Sequence, residues 1–157
     1  MIDFLMSFEV QSLIKLVLGF ILAGIIGSER ESLNKPAGFK THSLIGICSV
    51  LVMLCGEYIS MNTNADISRI PAQLLSGIGF LGAGTILRDG LNVTGLTTAA
   101  SLLAVTCIGL CIGAGFYLGG IVATFIVYII LSHSHKWFSP QPTTQEKQEE
   151  VNVNEQD

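Results

Sequence analysis

The sequence predicts an all-α integral membrane bundle of about five transmembrane helices with a short disordered cytoplasmic tail. Three observations carry that prediction. Only 13% of the 157 residues are charged, 50% are hydrophobic, and the mean hydropathy is +0.61. A soluble domain carries about 25% charged residues, so this composition fits lipid as its solvent. Five apolar runs follow one another along the chain, each near the roughly 20 residues that a spanning helix needs. Finally, Gly77, Gly79, Gly82 and Gly84 crowd into one run. Each would cost a soluble helix about 1 kcal/mol against alanine, whereas in a bilayer small residues let helix backbones approach closely.

The first run, 10–27, does not read as a cleaved signal peptide, because residues 1–10 carry Asp3 and Glu9 and no basic residue. The others are predicted at 41–59, 70–87, 96–113 and 116–131. The connections, 28–40, 60–69, 88–95 and 113–115, leave no room for a soluble domain. Residues 1–135 are therefore predicted as one transmembrane domain. Residues 136–157, rich in Pro, Gln and Glu, read as a disordered polar tail. Five of the twelve acidic residues (Glu146, Glu149, Glu150, Glu155, Asp157) lie in that tail, so the pI of about 5.3 describes the tail and argues against a nucleic-acid partner.

Basic residues set the orientation. Arg30, Lys35, Lys40, Arg88, Lys136 and Lys147 fall on one side by alternating loops, and only Lys15 and Arg69 on the other. The positive-inside rule then places the amino terminus outside and the tail in the cytoplasm. Small residues four apart mark packing faces: Gly19, Ala23 and Gly27 in the first run, Gly79 and Ala83 in the third, Gly109 and Gly113 in the fourth, Gly115 and Gly119 in the fifth. Such faces bring together helices of one chain or of several, which makes a homo-oligomer or another membrane protein an expected partner beside the bilayer itself. Cys48, Cys55, Cys107 and Cys111 lie inside apolar runs and are expected to act as buried small hydrophobes.

Polar residues at the helix ends are the functional candidates. On the inner side stand Glu29, Arg30, Thr41 and His42, around a turn made by Pro36 and Gly38. On the outer side, Glu57 needs a partner or water because an intramembrane carboxylate is costly. Asp66 and Arg69 precede Pro71, where either a cap or a cation contact is open to the aspartate. Asp66 with Glu57 forms the one candidate acidic metal site, for a cation such as Mg2+. Arg88 and Asp89 make an interfacial turn with Gly90, and Asn92, Thr97 and Thr98 bring amide and hydroxyl groups to the start of the fourth helix. Gly77-Ile78-Gly79-Phe80-Leu81-Gly82 matches a dinucleotide-binding fingerprint by letter only, since no strand precedes it and no acidic residue follows about 20 positions on. No metal-ligand cluster, nucleophile constellation or phosphate loop is legible, so neither a cofactor nor an enzyme is expected.

Several segments, taken together in their order, resemble the MgtC/SapB family of bacterial inner-membrane proteins. They are Gly27-Ser28-Glu29-Arg30-Glu31, Lys35-Pro36-Ala37-Gly38-Phe39-Lys40-Thr41-His42, Asp66-Ile67-Ser68-Arg69, residues 77–86, and Gly95-Leu96-Thr97-Thr98-Ala99-Ala100. The resemblance implies about five spans. It also assigns the aspartate of the family's Asp-Pro-x-Arg motif to Asp66, with Ile67 in place of the proline and Thr94 where an arginine often stands. The soluble ACT-like domain of some members is expected to be lacking here. It implies a role in magnesium limitation and, in pathogens, virulence. Two modes fit: modulation of other membrane proteins, the proton-translocating ATP synthase among them, or passive Mg2+ transport through an outer acidic site. The runs 71–87, 96–113 and 116–131 contain no Asp, Glu, Lys, Arg or His, which favours modulation over a hydrated path.

Overall fold

In the computed structural model, which describes residues 2–63, 65–90 and 92–137, five helices account for most of the described residues. Most of the predicted tail lies outside the described residues. The helices are α1 (Ile2–Ser32), α2 (Phe39–Thr63), α3 (Arg69–Gly84), α4 (Leu96–Gly113) and α5 (Tyr117–Trp137); between α3 and α4 lies a ribbon of β1 (Leu87–Asp89) and β2 (Asn92–Thr94). The all-α membrane bundle expected from the sequence is thus the fold found. Among the described residues, α1, α2 and α4 are long and apolar enough by themselves to cross a membrane.

Local chemistry explains most of the boundaries. α1 ends because Asn34 adopts a left-handed φ of 52°. Lys35 N–H then bonds Arg30 O, and Asn34 N–H bonds Glu31 O, both at 3.0 Å. This is the paired closure that satisfies a helix's last carbonyls, and Pro36 follows it. α4 ends the same way at Gly115 (φ 84°), with Phe116 N–H on Cys111 O and Gly115 N–H on Ile112 O. α3 stops earlier than the run 70–87 suggests. Thr85 N–H and its hydroxyl both bond Gly82 O, at 3.0 and 2.8 Å, and Ile86 N–H bonds Ala83 O. These tight i−3 bonds end the helix, and the next residues pair as strands, Leu87 with Thr94 and Asp89 with Asn92, around Gly90 at φ 58°. At the ribbon's exit Gly95 sits at φ 89°, where any β-carbon would collide with Thr85 O.

The core is formed by α1, α2 and α4, with one residue from α5: Leu22, Ala23, Ile26, Val50, Leu54, Val105, Ile108, Ile112 and Leu131. Lipid is as apolar as leucine, so close packing rather than expulsion from water holds such helices together. Glycine sets how close they come. A β-carbon at Gly46 would strike Ala23 and press on Gly19 O at 3.2 Å; one at Gly109 would meet Ser49 Cβ at 2.6 Å and Gly46 O at 2.8 Å; one at Gly113 would meet Met53 Cβ at 2.6 Å. Buried hydroxyls in this core turn back on their own helices, Ser49 to Ile45 O, Thr106 to Leu102 O and Thr124 to Gly120 O, so they need no partner across the interface.

α3 leans on the outside of α4, burying only Pro71, Ile78 and Gly82. Two contacts, Arg30 with Thr98 and His42 with Ser101, place the end of α1 and the starts of α2 and α4 at the same end of the bundle. α2 runs away from that end and α4 begins at it. The segment between them therefore travels the length of the bundle.

The cysteines correct one expectation. Cys48, Cys55 and Cys107 are exposed on the helix surfaces and Cys111 is half-buried, and all four are free. An apolar run in lipid is apolar on both faces, so its hydrophobicity does not say which face packs inward.

Candidate functional site

Three of the predicted candidates converge at the shared end of the bundle. Arg30, in the last turn of α1, is 3% exposed, and its Nη2 donates to Thr98 Oγ1 at 3.4 Å. A cation there suits the negative end of the α1 dipole. His42, fully buried, has Nδ1 2.9 Å from Gly38 O. A carbonyl only accepts, so Nδ1 carries a hydrogen. Its Nε2 lies 3.0 Å from Ser101 Oγ, which is itself 2.8 Å from Thr98 O. In the neutral ring Nε2 has only a lone pair to offer, and the single hydroxyl hydrogen of Ser101 serves either the ring or Thr98 O. Close approach makes this cluster possible. A β-carbon at Gly27 would meet Phe39 Cα at 2.8 Å and His42 Cβ at 2.9 Å. Glu31 joins the two helices, its carboxylate accepting from Phe39 N–H at 2.7 Å and so capping α2.

The remaining candidates expected on the inner side stand apart from this cluster. Thr41, Thr97, Asp89 and Asn92 are exposed and Glu29 is half-buried. The ribbon carries Asp89 and Asn92 as partners across its turn.

At the end expected to face outward, Glu57 finds its partner within the bundle: Lys15 Nζ donates to Glu57 Oε2 at 3.3 Å, with the two side chains 7% and 29% exposed. Asp66 lies in the connection before α3. Its Oδ1 accepts from Ser68 N–H at 2.9 Å and from Ser68 Oγ at 2.7 Å. The backbone amide of Ser68, then its hydroxyl, and last the nearby Arg69 charge hold the exposed Asp66 carboxyl below its usual range, against a small opposing effect of desolvation. Asp66 and Arg69 line an open groove of about 610 Å³ with Gly56, Ile59, Ser68 and Gln73. Among the described residues no three His, Cys, Asp or Glu side chains converge as a metal group would require. Of the proposed acidic pair, Glu57 is engaged by Lys15 and Asp66 by Ser68.

The predicted packing residues divide sharply. Gly109 and Gly113 sit against α2, and Gly82 lies in ordinary contact with Ala99 at 3.5 Å. Ala83 lines a second groove of about 290 Å³ between α3 and α4, with Ile78, Gly79, Ile86 and Leu103. Gly77, Gly79 and Gly84 have nothing within 4 Å. Sequence reasoning missed Gly46 and Ser101. Gly46 has no small residue four positions away, and Ser101 is one of four hydroxyl residues in the run 96–113, so neither leaves a distinguishing signal.

Comparison with known proteins agrees with this architecture. The chain is 41% identical over 130 residues to Escherichia coli K12 "Putative magnesium transporter YhiD", covering 79% of this chain and 60% of that protein. It is 40% identical over 116 residues to "Protein MgtC" of Salmonella typhimurium LT2, covering 73% of this chain and 48% of that one. A Synechocystis protein, slr0014, is 38% identical over 121 residues, covering 76% of this chain and 50% of that protein. The chain thus spans about half to three-fifths of the length of these relatives. No solved structure matches it. The model of the MgtC family matches residues 16–138, the whole of the bundle from mid-α1 onward, and this membrane protein belongs to that family.

Proposed function

We propose that this protein is a multi-pass regulator of the bacterial inner membrane, tied to magnesium handling, that docks helices of other membrane proteins on the outer face of α3. The orientation proposed is amino terminus outside and carboxy terminus in the cytoplasm, following the distribution of basic residues. The observation that carries the docking is the division among the glycines. Those of α1, α2 and α4 are used up inside the chain, while Gly77 and Gly84, on the side of α3 that carries the 81%-exposed Phe80, have nothing within 4 Å of a β-carbon. A face of small residues in lipid is a surface that another backbone approaches closely. The magnesium link is drawn from the names and identities of the relatives. The ATP synthase that the family resemblance suggests is a first partner to test by co-purification.

Gly77→Leu is the direct test, because a β-carbon there has nothing within 4 Å and the position is not among those lining the α3–α4 groove. We expect normal amounts in the membrane and loss of growth support at limiting magnesium. Wild-type growth from this variant sinks the docking reading, as does saturable Mg2+ flux from the purified protein in vesicles.

The groove around Asp66 favours a second reading, in which its carboxylate meets a cation in passing. Asparagine retains the oxygen that accepts from Ser68 and caps as well as aspartate. Asp66→Asn is therefore expected to insert at wild-type levels and to lose growth support at low magnesium through the missing charge. Normal growth of Asp66→Asn, with a defect confined to Asp66→Ala, would return the residue to capping alone.

A further inference from the structure

We propose that the shared end of α1, α2 and α4 binds a phosphate oxyanion, held between the Arg30 guanidinium and the first turn of α4. The inference stands apart from the docking reading and from the groove at Asp66.

It starts from an electrostatic imbalance. Arg30 is 3% exposed, yet among the described residues no carboxylate pairs with it, and the ion pair present is Lys15 with Glu57. Glu29, next to it in sequence, is half-buried and acts on Arg30 through its charge, but it makes no bond to the guanidinium. Among the described residues, Thr98 Oγ1 is the acceptor that the Arg30 side chain reaches, at 3.4 Å, and its buried Nε has none. Buried charges are normally paired, since a buried ion without a counter-ion is costly.

The second observation is independent and points to the same place. Of the four helix starts with a described approach, α2 has its first amide taken by Glu31, and α3 is preceded by Asp66 on Ser68 N–H. α4 and α5 have no such group among the described residues, and of these two it is α4 that has a buried arginine bonded into its first turn. Gly95 precedes it, no side chain caps it, and the first backbone bond is Ala99 N–H to Gly95 O. The N–H groups of Leu96, Thr97 and Thr98 are left without an acceptor among the described residues. Three free amides at the positive end of an 18-residue helix form an anion cradle. Arg30 bonds into that turn, and the exposed Thr97 adds a hydroxyl. Its fork geometry matches phosphate oxygens in pairs.

Phosphate suits the position. The site lies at the end of α1, flanked in sequence by the exposed Lys35 and Lys40, where a lipid headgroup and a free anion are both within reach. The two sources share one chemistry, and they separate by experiment.

The full-length protein, purified in a neutral sugar detergent, is heated with phosphatidylglycerol, with diacylglycerol of the same chains, or with inorganic phosphate. A ligand bound only by the folded state raises the unfolding midpoint. A rise with phosphatidylglycerol and none with diacylglycerol or inorganic phosphate assigns a lipid headgroup. A rise with inorganic phosphate assigns a free anion. No rise with either phosphate compound over diacylglycerol overturns the proposal. Arg30→Met is expected to abolish the shift, and Arg30→Lys, which retains charge without the fork, to raise the half-saturating concentration by about tenfold or more. Where Arg30→Met does not fold, Arg30→Lys locates the site alone, and an unchanged half-saturation in it overturns the assignment to Arg30.

Discussion

Glu57→Gln is expected to lower the stability of the bundle by about 3 kcal/mol, the low end of the range for breaking a buried ion pair, because Glu57 is partly exposed. Lys15, only 7% exposed, would lose the carboxylate at 3.3 Å and gain an amide that cannot balance its charge. The lysine lies roughly 22 Å along α1 from Arg30 at 1.5 Å per residue, so the only relief by snorkelling is toward the amino-terminal end of the span. Replacing both residues together, Lys15→Met with Glu57→Leu, is expected to recover most of the loss, since an apolar pair of similar volume often matches a buried ion pair. Thermal unfolding of the three proteins in detergent checks both expectations. Equal midpoints for Glu57→Gln and the wild type would show that water, not Glu57, serves Lys15.

The second large effect is at Gly109, where leucine is expected to remove the protein from the membrane fraction. Its β-carbon alone would lie 2.8 Å from Gly46 O and 2.6 Å from Ser49 Cβ. A backbone carbonyl does not swing aside as a long side chain does, so α2 and α4 would have to separate. Overpacking costs about 1–3 kcal/mol even for smaller insertions, and here the whole α1–α2–α4 contact loosens with it. Gly77→Ala is the matched control. With nothing within 4 Å of that position, alanine is expected to leave the protein in place or to stabilise it by up to about 1 kcal/mol through helix propensity. A bundle that tolerates Gly109→Leu would mean that the helices pack through other faces.

These contrasts show which parts of the molecule the sequence could convey. The run 96–113 coincides with α4, because a turn with Gly115 and a left-handed glycine at position 95 bracket it chemically. The need of Glu57 for a partner was legible from the cost of a carboxylate in lipid, but Lys15 is 42 residues away and no local spacing links them. Arg30, His42 and Thr98 were each legible as polar residues at helix ends. Their meeting was not, since it depends on Gly27 letting α2 lie close to α1. The four-residue glycine pattern found Gly109 and Gly113 and passed over Gly46, which packs as tightly without a small neighbour in phase. Among the open α3 glycines, the same pattern marked Gly79 as strongly as any buried one, because pattern reports that a backbone can be approached, not what approaches it.

The shortness of α3 has a consequence for the membrane around the protein. Sixteen residues rise about 24 Å at 1.5 Å each, against a hydrocarbon core of about 30 Å. Beyond its last turn the chain continues as a ribbon bearing Arg88 and Asp89, groups that do not follow it into hydrocarbon. Where α3 spans the bilayer, the lipid beside it is expected to compress by several ångströms while lipid beside the 31-residue α1 need not. The annulus would then be lopsided, pinched along one flank. Such mismatch costs a fraction of a kcal/mol per ångström, and the strain is relieved wherever the bilayer is already thin or where another short helix shares the pinched sector.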